Sequence, residues 1–573
     1  MPRKLPFSAK RKKQQLRDRR ERKRGDAPAG PASGPGSRSG SRERGGDGPP
    51  GDPPPEPPRR HDPGRFRLQL GGPRAEALER SGRRAQEELL ELLPESALEL
   101  DPDSVYGPGL DFPRRPPWSF GMSPEELRAR EEAAFGDFLR ALGDSPGDSP
   151  GDSRGDSRGL APFEHNLETW RQLWRVLEMS DIVLVIADAR HPALGVPPSL
   201  CAHVTQRLAK GLILILNKVD LAPPSVAVAW SHLLRARYGP GRVVPFSTCP
   251  GPPPGPGLQK RQKKRGGRWG RAVGPRLLLE ACEEIVGGAV DLSSWRARLE
   301  RAEQRPEDDE DDEDEEEEEP LGGDEEEEEE GAGPGDVAPP RQWERYRHGV
   351  LTLGCVGLPN AGKSSVLNAV LGRSAVGVSR APGRTRYFQT HFLTAQVRLC
   401  DCPGLVFPSR APPELQVLAG VYPIAQLQDP YSAVGFLGSR LALPPLLQLR
   451  PPNGPGWTAW ELCEAWAEQR GYKTARAARN DVARAANGLL RMAAEGRIRL
   501  CLRPPGYSLQ KEHWELHPDT AAMAAMTGGG ATTPPPPGAA SSSEDDEGEE
   551  PEEATPPPSP APNPFALLGE DEC

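Results

Sequence analysis

Two polar strings, each set directly after an apolar run, hold the residues with the clearest chemistry. Gly357-Leu358-Pro359-Asn360-Ala361-Gly362-Lys363-Ser364 has the spacing GxxxxGK[ST]. Glycines at this spacing let backbone N–H groups close around phosphate oxygens, and a following helix adds its partly positive N-terminus. In such a loop Lys363 is expected to reach the β- and γ-phosphates, and the Ser364 hydroxyl to ligate Mg²⁺. The second string, Asn217-Lys218-Val219-Asp220, stands 140 residues earlier. A carboxylate such as Asp220 can accept from both N1–H and the 2-amino group of guanine, a pair that adenine lacks. Asn217 supports the other edge of the base, and the Lys218 stem can lie along its face. A site built on polar pairing rejects the analogue without it, so the expected ligands are GTP and GDP, not ATP.

Two weaker signals complete the set. Asp401-Cys402-Pro403-Gly404 follows the run Val397–Cys400 about forty residues after the loop. Asp401 can hold Mg²⁺ through water, and the Gly404 N–H can contact the γ-phosphate. Ser247-Thr248 closes the run Val243–Phe246 and matches an element that braces the base through backbone N–H groups.

The elements that must position these residues are short and aliphatic. Ile182–Ala187, Leu212–Leu216, Val243–Phe246 and Leu351–Val356 are unbroken apolar runs ending in polar residues, with helical segments between them. Runs of that kind imply parallel strands covered on both faces. Open α/β sheets bind ligands at the carboxyl ends of such strands. Phe163, Leu167, Trp170, Trp174 and Leu177 recur at three- and four-residue steps, an amphipathic helix with its Trp residues in the core. Further helices are expected near 277–285 and from Lys363 to Leu371, with strands near Phe388–Thr394 and Val397–Cys400. Residues 410–520 read as mainly helical with a short terminal hairpin.

Charge is strongly segregated. Residues 1–25 hold twelve Lys/Arg against two acids, 307–330 hold twenty acids and no base, and 541–573 hold eleven acids and no base. The rest keeps an excess of eleven bases despite the overall −10, so its expected partners are polyanions. With 69 Pro and 63 Gly in 573 residues, one or two folded domains between low-complexity arms are expected. That gives a basic arm (1–60), a partly helical linker region (61–160) with four GDS[PR] tetrapeptides, and a nucleotide domain (161–410) interrupted by an acidic insertion (about 250–346). A helical accessory domain (411–520) and an acidic Pro/Ser-rich tail (521–573) follow. The arm's run Lys10-Arg11-Lys12-Lys13 is dense enough to engage nuclear import machinery or RNA. Nine scattered Cys and no apolar run of membrane length fit a soluble intracellular protein. The expected location is the nucleus or nucleolus, with cytoplasmic shuttling, and the expected state is a monomer. Ser541–Ser543 before an acidic run suit acid-directed phosphorylation.

The order of base-reading string, phosphate loop and DxxG resembles the circularly permuted GTPases. The resemblance rests on these strings and on Glu168-Thr169-Trp170-Arg171-Gln172-Leu173-Trp174-Arg175, Asp188-Ala189-Arg190-His191-Pro192, the loop extended to Ser365, and Pro382 to Thr390. It implies a Ras-like α/β fold with rotated connectivity, GTP hydrolysis and, for most relatives, assembly of ribosomal subunits on RNA or a pre-ribosomal particle. By the same match Thr385 is the switch threonine on Mg²⁺ and the γ-phosphate, and Asn360 implies K⁺ beside the β/γ-phosphates. Leu405 stands where Ras-like enzymes carry a water-orienting Gln, which implies slow turnover. A GTP-binding scaffold without useful hydrolysis is the alternative. Arg380, Arg384 and Arg386 are candidates for charge supplied in cis.

Overall fold

The computed structural model describes residues 69–70, 75–143, 160–250, 272–304, 344–379, 382–383, 385, 388–450, 456–474 and 479–527. The basic arm, the tetrapeptide repeat, the acidic runs, Arg380, Arg384, Arg386 and Ser541–Ser543 lie outside them. The strands are β1 Ile182–Asp188, β2 Gly211–Asn217, β3 Val243–Phe246, β4 Leu351–Val356, β5 Gln389–Thr394 and β6 Val397–Asp401. They form one sheet in the order β3-β2-β1-β4-β6-β5, parallel throughout except for the antiparallel edge strand β5. The longer helices are α1 Ala75–Glu87, α2 Pro124–Gly143, α3 Leu167–Met179, α4 Pro224–Tyr238, α5 Pro275–Val286, α6 Ser293–Gln304 and α7 Lys363–Leu371. After the sheet come α8 Pro413–Leu418, α9 Tyr431–Gly438, α10 Ala459–Arg470, α11 Val482–Ala494, α12 Lys511–Glu515 and α13 Pro518–Met526.

The sheet brings the two halves of the chain together at its centre, where β1 runs parallel to β4. Asp181 fastens that junction, its two carboxylate oxygens accepting from Tyr346 N–H at 3.0 Å and Thr352 N–H at 2.7 Å. Every residue of β1 and β4 is buried. Alternate side chains go to opposite faces, and so the sheet feeds two apolar cores.

One core contains Val183, Val185, Leu214 and Leu216 with α3, α4 and the helical segment after the sheet. Trp170 and Trp174 of α3 are buried in it, and their indole N–H groups donate to Glu164 O and Pro113 O. Residues 98–135 join the same core. Phe112 is 2 % exposed and meets Trp170, His203 and Phe407, while Arg115 and Arg171 share Glu131.

The other core is Ile182, Leu184, Ile186, Ile213 and Ile215 under α5, α6 and α7. Part of the expected insertion is therefore sheet cover. Leu278, Leu279, Cys282, Val286, Leu292 and Trp295 are buried there. The acidic residues that follow masked this apolar face in the composition.

Helices dominate 410–520, but the expected terminal hairpin is absent among the described residues. Residues 498–504 run instead against α4 and residues 98–100, with the backbone of Arg503 bridged in parallel to that of Glu99, and Trp230 of α4 donating to Leu502 O at 2.8 Å. Aliphatic Ile498, Leu500 and Leu502 are buried by that docking. Without a second strand to pair with, they contact α4 and β1's exit.

Candidate functional site

The sequence-derived site residues lie at the carboxyl ends of β2, β3, β4 and β6, in the loops leaving them or in the first turn of α7, except Thr385, which lies between α7 and β5. The phosphate-type loop leaves β4 and enters α7. Asn360 (φ +57°) and Gly362 (φ +96°) are left-handed, which turns successive N–H groups toward one concavity. Gly362 admits no side chain: a Cβ there would sit 2.2 Å from Asn217 Nδ2. That close approach lets Asn217 donate to Ala361 O at 2.8 Å. Lys218, itself left-handed at φ +64°, donates through Nζ to Asn360 O at 2.7 Å. Two strings 140 residues apart are thus bonded side chain to backbone.

Asp220 is buried and its Oδ1 accepts from Ser247 Oγ at 2.6 Å, so the end of β3 fixes the carboxylate. Burial pushes its pKa upward, and the Ser247 hydrogen bond opposes this. Ser247 is itself held by paired backbone bonds with Val273 at 2.9 Å. Thr248 is half-buried beside it, and Val219 is buried in the turn. Asn217 Oδ1 is a buried acceptor without a partner. A carboxylate held by one oxygen, beside an amide oxygen open to a donor, suits a planar base that presents N–H groups.

At the other end Lys363 is buried and its Nζ donates to Gly357 O at 3.0 Å and Leu358 O at 2.8 Å. Burial lowers its pKa, offset by the charge of Asp401. Ser364 Oγ donates to Asp401 Oδ2 at 3.0 Å and lies 3.3 Å from Thr385 Oγ1. Asp401 is fully buried, and desolvation raises its pKa against the pull of Lys363. Its Oδ1 has no hydrogen-bond partner. Two hydroxyls and a carboxylate with a free buried oxygen form an all-oxygen donor set, which fits a small hard cation such as Mg²⁺. Ser365 begins the half-buried flank of α7, while Cys402 and Pro403 are buried.

The DxxG segment presses on the loop. A Cβ on Gly404 would meet Pro359 Cα at 2.7 Å, and Leu405 N–H donates to Gly357 O at 3.2 Å. The Leu405 side chain is 0 % exposed and belongs to the core with α3 and the trailing helices. Asn360, the residue matched to K⁺ binding, donates through Nδ2 to Gly420 O at 2.7 Å, which joins the loop to the segment after α8.

Asp188 and Arg190 were legible only as part of a family string, and no site role was attached to them. Arg190 is 1 % exposed and grips Asp188 with two parallel bonds, Nε to Oδ1 at 3.0 Å and Nη2 to Oδ2 at 2.8 Å. Its other contacts are Ala493 O at 2.9 Å and Ala494 O at 3.2 Å, at the C-terminus of α11. Asp188 Oδ2 also accepts from Lys218 Nζ at 2.8 Å. Burial opposes the charge on Asp188, but Arg190 and Lys218 together hold its carboxyl well below the ordinary range. The signal available in the sequence was an acid and a base two residues apart at a strand end.

The family model described as 50S ribosome-binding GTPase matches residues 352–422. Guanine nucleotide-binding protein-like 1 of Pan troglodytes is 49 % identical over 555 residues, covering 92 % of this chain and 90 % of its own. The Mus musculus protein of that name is 48 % identical over the same shares. Among solved structures, a GDP-bound structure of TM YlqF is 18 % identical at TM-score 0.33, covering 58 % of this chain and 99 % of that one. With a guanine-type pocket assembled across β2 and β4, and relatives matched along nearly their whole length, this chain belongs to the guanine nucleotide-binding protein-like 1 family of circularly permuted GTPases.

Proposed function

We propose that this GTPase is a slow, Mg²⁺-dependent nucleotide switch that acts on ribosomal RNA or a pre-ribosomal particle. One observation carries the reading: Ser364, Thr385 and Asp401 converge at 3.0–3.3 Å beside Lys363, in bonded contact with the half of the chain that bears Asn217 and Asp220. Asp220 and Asn217 would read guanine, with Ser247 and Thr248 bracing it. The N–H groups of 357–365 and Lys363 would hold the phosphates. Ser364, Thr385 and Asp401 would hold Mg²⁺, whose charge offsets that building on the phosphoryl oxygens. Gly404 N–H, packed against the loop, would sense the γ-phosphate.

Slow turnover follows from Leu405. Its side chain is committed to the core and has no polar atom to orient water, and phosphoryl transfer depends mainly on placement and charge. The switch reading rests on connectivity. The DxxG segment runs straight into 410–527, and the loop itself bonds to Gly420 through Asn360. Bound K⁺ would have to compete with that bond for Asn360. The basic arm would serve nuclear import and RNA contact, placing a monomeric protein in the nucleus or nucleolus. Among the described residues no helix is long and apolar enough to cross a membrane.

Phosphate release from the full chain in K⁺ or Na⁺, with and without ribosomal RNA, tests the proposal. Turnover above that of Lys363→Ala, stimulated by RNA, is expected. Turnover equal to that variant in every condition would leave only a GTP-binding scaffold.

A further inference from the structure

Three side chains with metal-ligating atoms meet outside the set of nucleotide-site residues. His232 lies on α4, the helix that follows the base-reading string. His517 and Asp519 lie at the start of α13, which together with α12 packs against α4. Their ligand atoms all fall within 4.8 Å of one another. His232 Nε2 is 2.8 Å from Asp519 Oδ2, and His517 Nδ1 is 3.8 Å from that oxygen. A tetrahedral ion with bonds of about 2.0–2.1 Å needs ligand atoms about 3.3–3.4 Å apart. The two separations bracket that value and the third pair lies within 4.8 Å, so side-chain rotation can bring the set around an ion.

The chemistry of the set selects the ion. Two imidazoles and a carboxylate suit zinc and its neighbours, whereas Mg²⁺ and Ca²⁺ prefer oxygen alone. His517 Nδ1 accepts from Asp519 N–H at 3.2 Å, and an ion takes that nitrogen's single lone pair in place of this bond. Access is open, with side chains 37 %, 19 % and 49 % exposed beside a cleft of ≈ 380 Å³ that His232, Arg235, Asp519 and Met523 help to line. Trp514 covers one side, its ring 5.5 Å from His232 and 5.7 Å from His517.

We propose that His232, His517 and Asp519 form a site for one divalent transition ion of the zinc class, leaving a fourth position for water. The ion cross-links the segment 511–526 to the helix behind the guanine-reading turn. It is a structural clasp, separate from the Mg²⁺ set at Ser364, Thr385 and Asp401.

The test uses the untagged, chelator-stripped full chain saturated with GDP and Mg²⁺. Zn²⁺ binding is titrated against a chromophoric chelator, and hydrogen exchange of amides in 511–526 is followed in parallel. Wild type is expected to bind one equivalent more than His232→Ala and than Asp519→Asn. With free Zn²⁺ at ten times its dissociation constant, exchange from the local open state slows about elevenfold in wild type and not in the variants. Asp519→Asn is a half-exposed change, and unaltered GDP binding certifies its fold. The proposal is overturned if both variants keep the wild-type stoichiometry, or if Zn²⁺ leaves those exchange rates unchanged.

Discussion

Arg190→Met should loosen the end of α11 while leaving the sheet intact. The guanidinium is 1 % exposed and makes two bonds to Asp188 and one each to Ala493 O and Ala494 O. Removing one partner of a buried ion pair costs about 3–5 kcal/mol, because the other charge stays buried. Lys218 Nζ, 2.8 Å from Asp188, retains part of the compensation, so the lower end of that range is expected. At about 1.4 kcal/mol per tenfold, amides of α11 and residues 498–502 should exchange roughly a hundred times faster or more. Arg190→Lys keeps the charge without the fork and should fall between. Asp188, held low by its cations, contributes stability that is complete above its ordinary pKa of 3.8 and lost as pH falls through the depressed value. That acid-sensitive part should shrink in Arg190→Met. Hydrogen exchange by mass spectrometry reads both effects. Less than a tenfold change at α11 would refute the view that this side chain ties the base-reading half to the trailing helices.

Other perturbations probe separate parts. Asp220→Asn should move base preference from guanosine toward xanthosine nucleotides and cost GTP on the order of 10⁴ in affinity, as read by competition binding. Trp295→Ala should destabilise the α6 side of the sheet by about 3–5 kcal/mol, seen as a lower denaturation midpoint with GDP affinity at saturable protein largely kept. Glu164 is raised by burial from 4.5 to about 7. Its carboxyl therefore favours folding when protonated, and stability should decline as pH rises from 4.5 to about 7. Glu164→Gln should abolish that decline in pH-resolved thermal unfolding.

The nucleotide pocket was legible because its parts are polar residues fixed in short strings at the ends of aliphatic runs. β1, β2, β3 and β4 are unbroken aliphatic runs ending in polar residues, which reads as buried parallel strands, and the GxxxxGK[ST] spacing marks the phosphate loop. Links between distant residues were not legible. Nothing at Arg190 names Ala493 as its partner, and nothing at Asn360 names Gly420, because such bonds depend on how the trailing helices dock. The helix expected near 277–285 was legible, but α6 and the role of both helices as sheet cover were not, because the acid-rich sequence after them dominated the composition. The 98–135 segment lacks periodicity strong enough to show that Phe112 and Glu131 serve the core around α3.

The pairing of β1 with β4 spans the boundary between the two halves of the pocket and relies on strand hydrogen bonds, not on peptide continuity across 305–343. Two polypeptides, one ending after Gln304 and the other starting before Glu344, would each hold an incomplete sheet with an exposed apolar edge. Co-expressed, they should find each other and regain guanine nucleotide binding that neither has alone. A permuted order thus turns the connection between the halves into a natural split point, open to lengthening or cutting without moving a single ligand-holding residue.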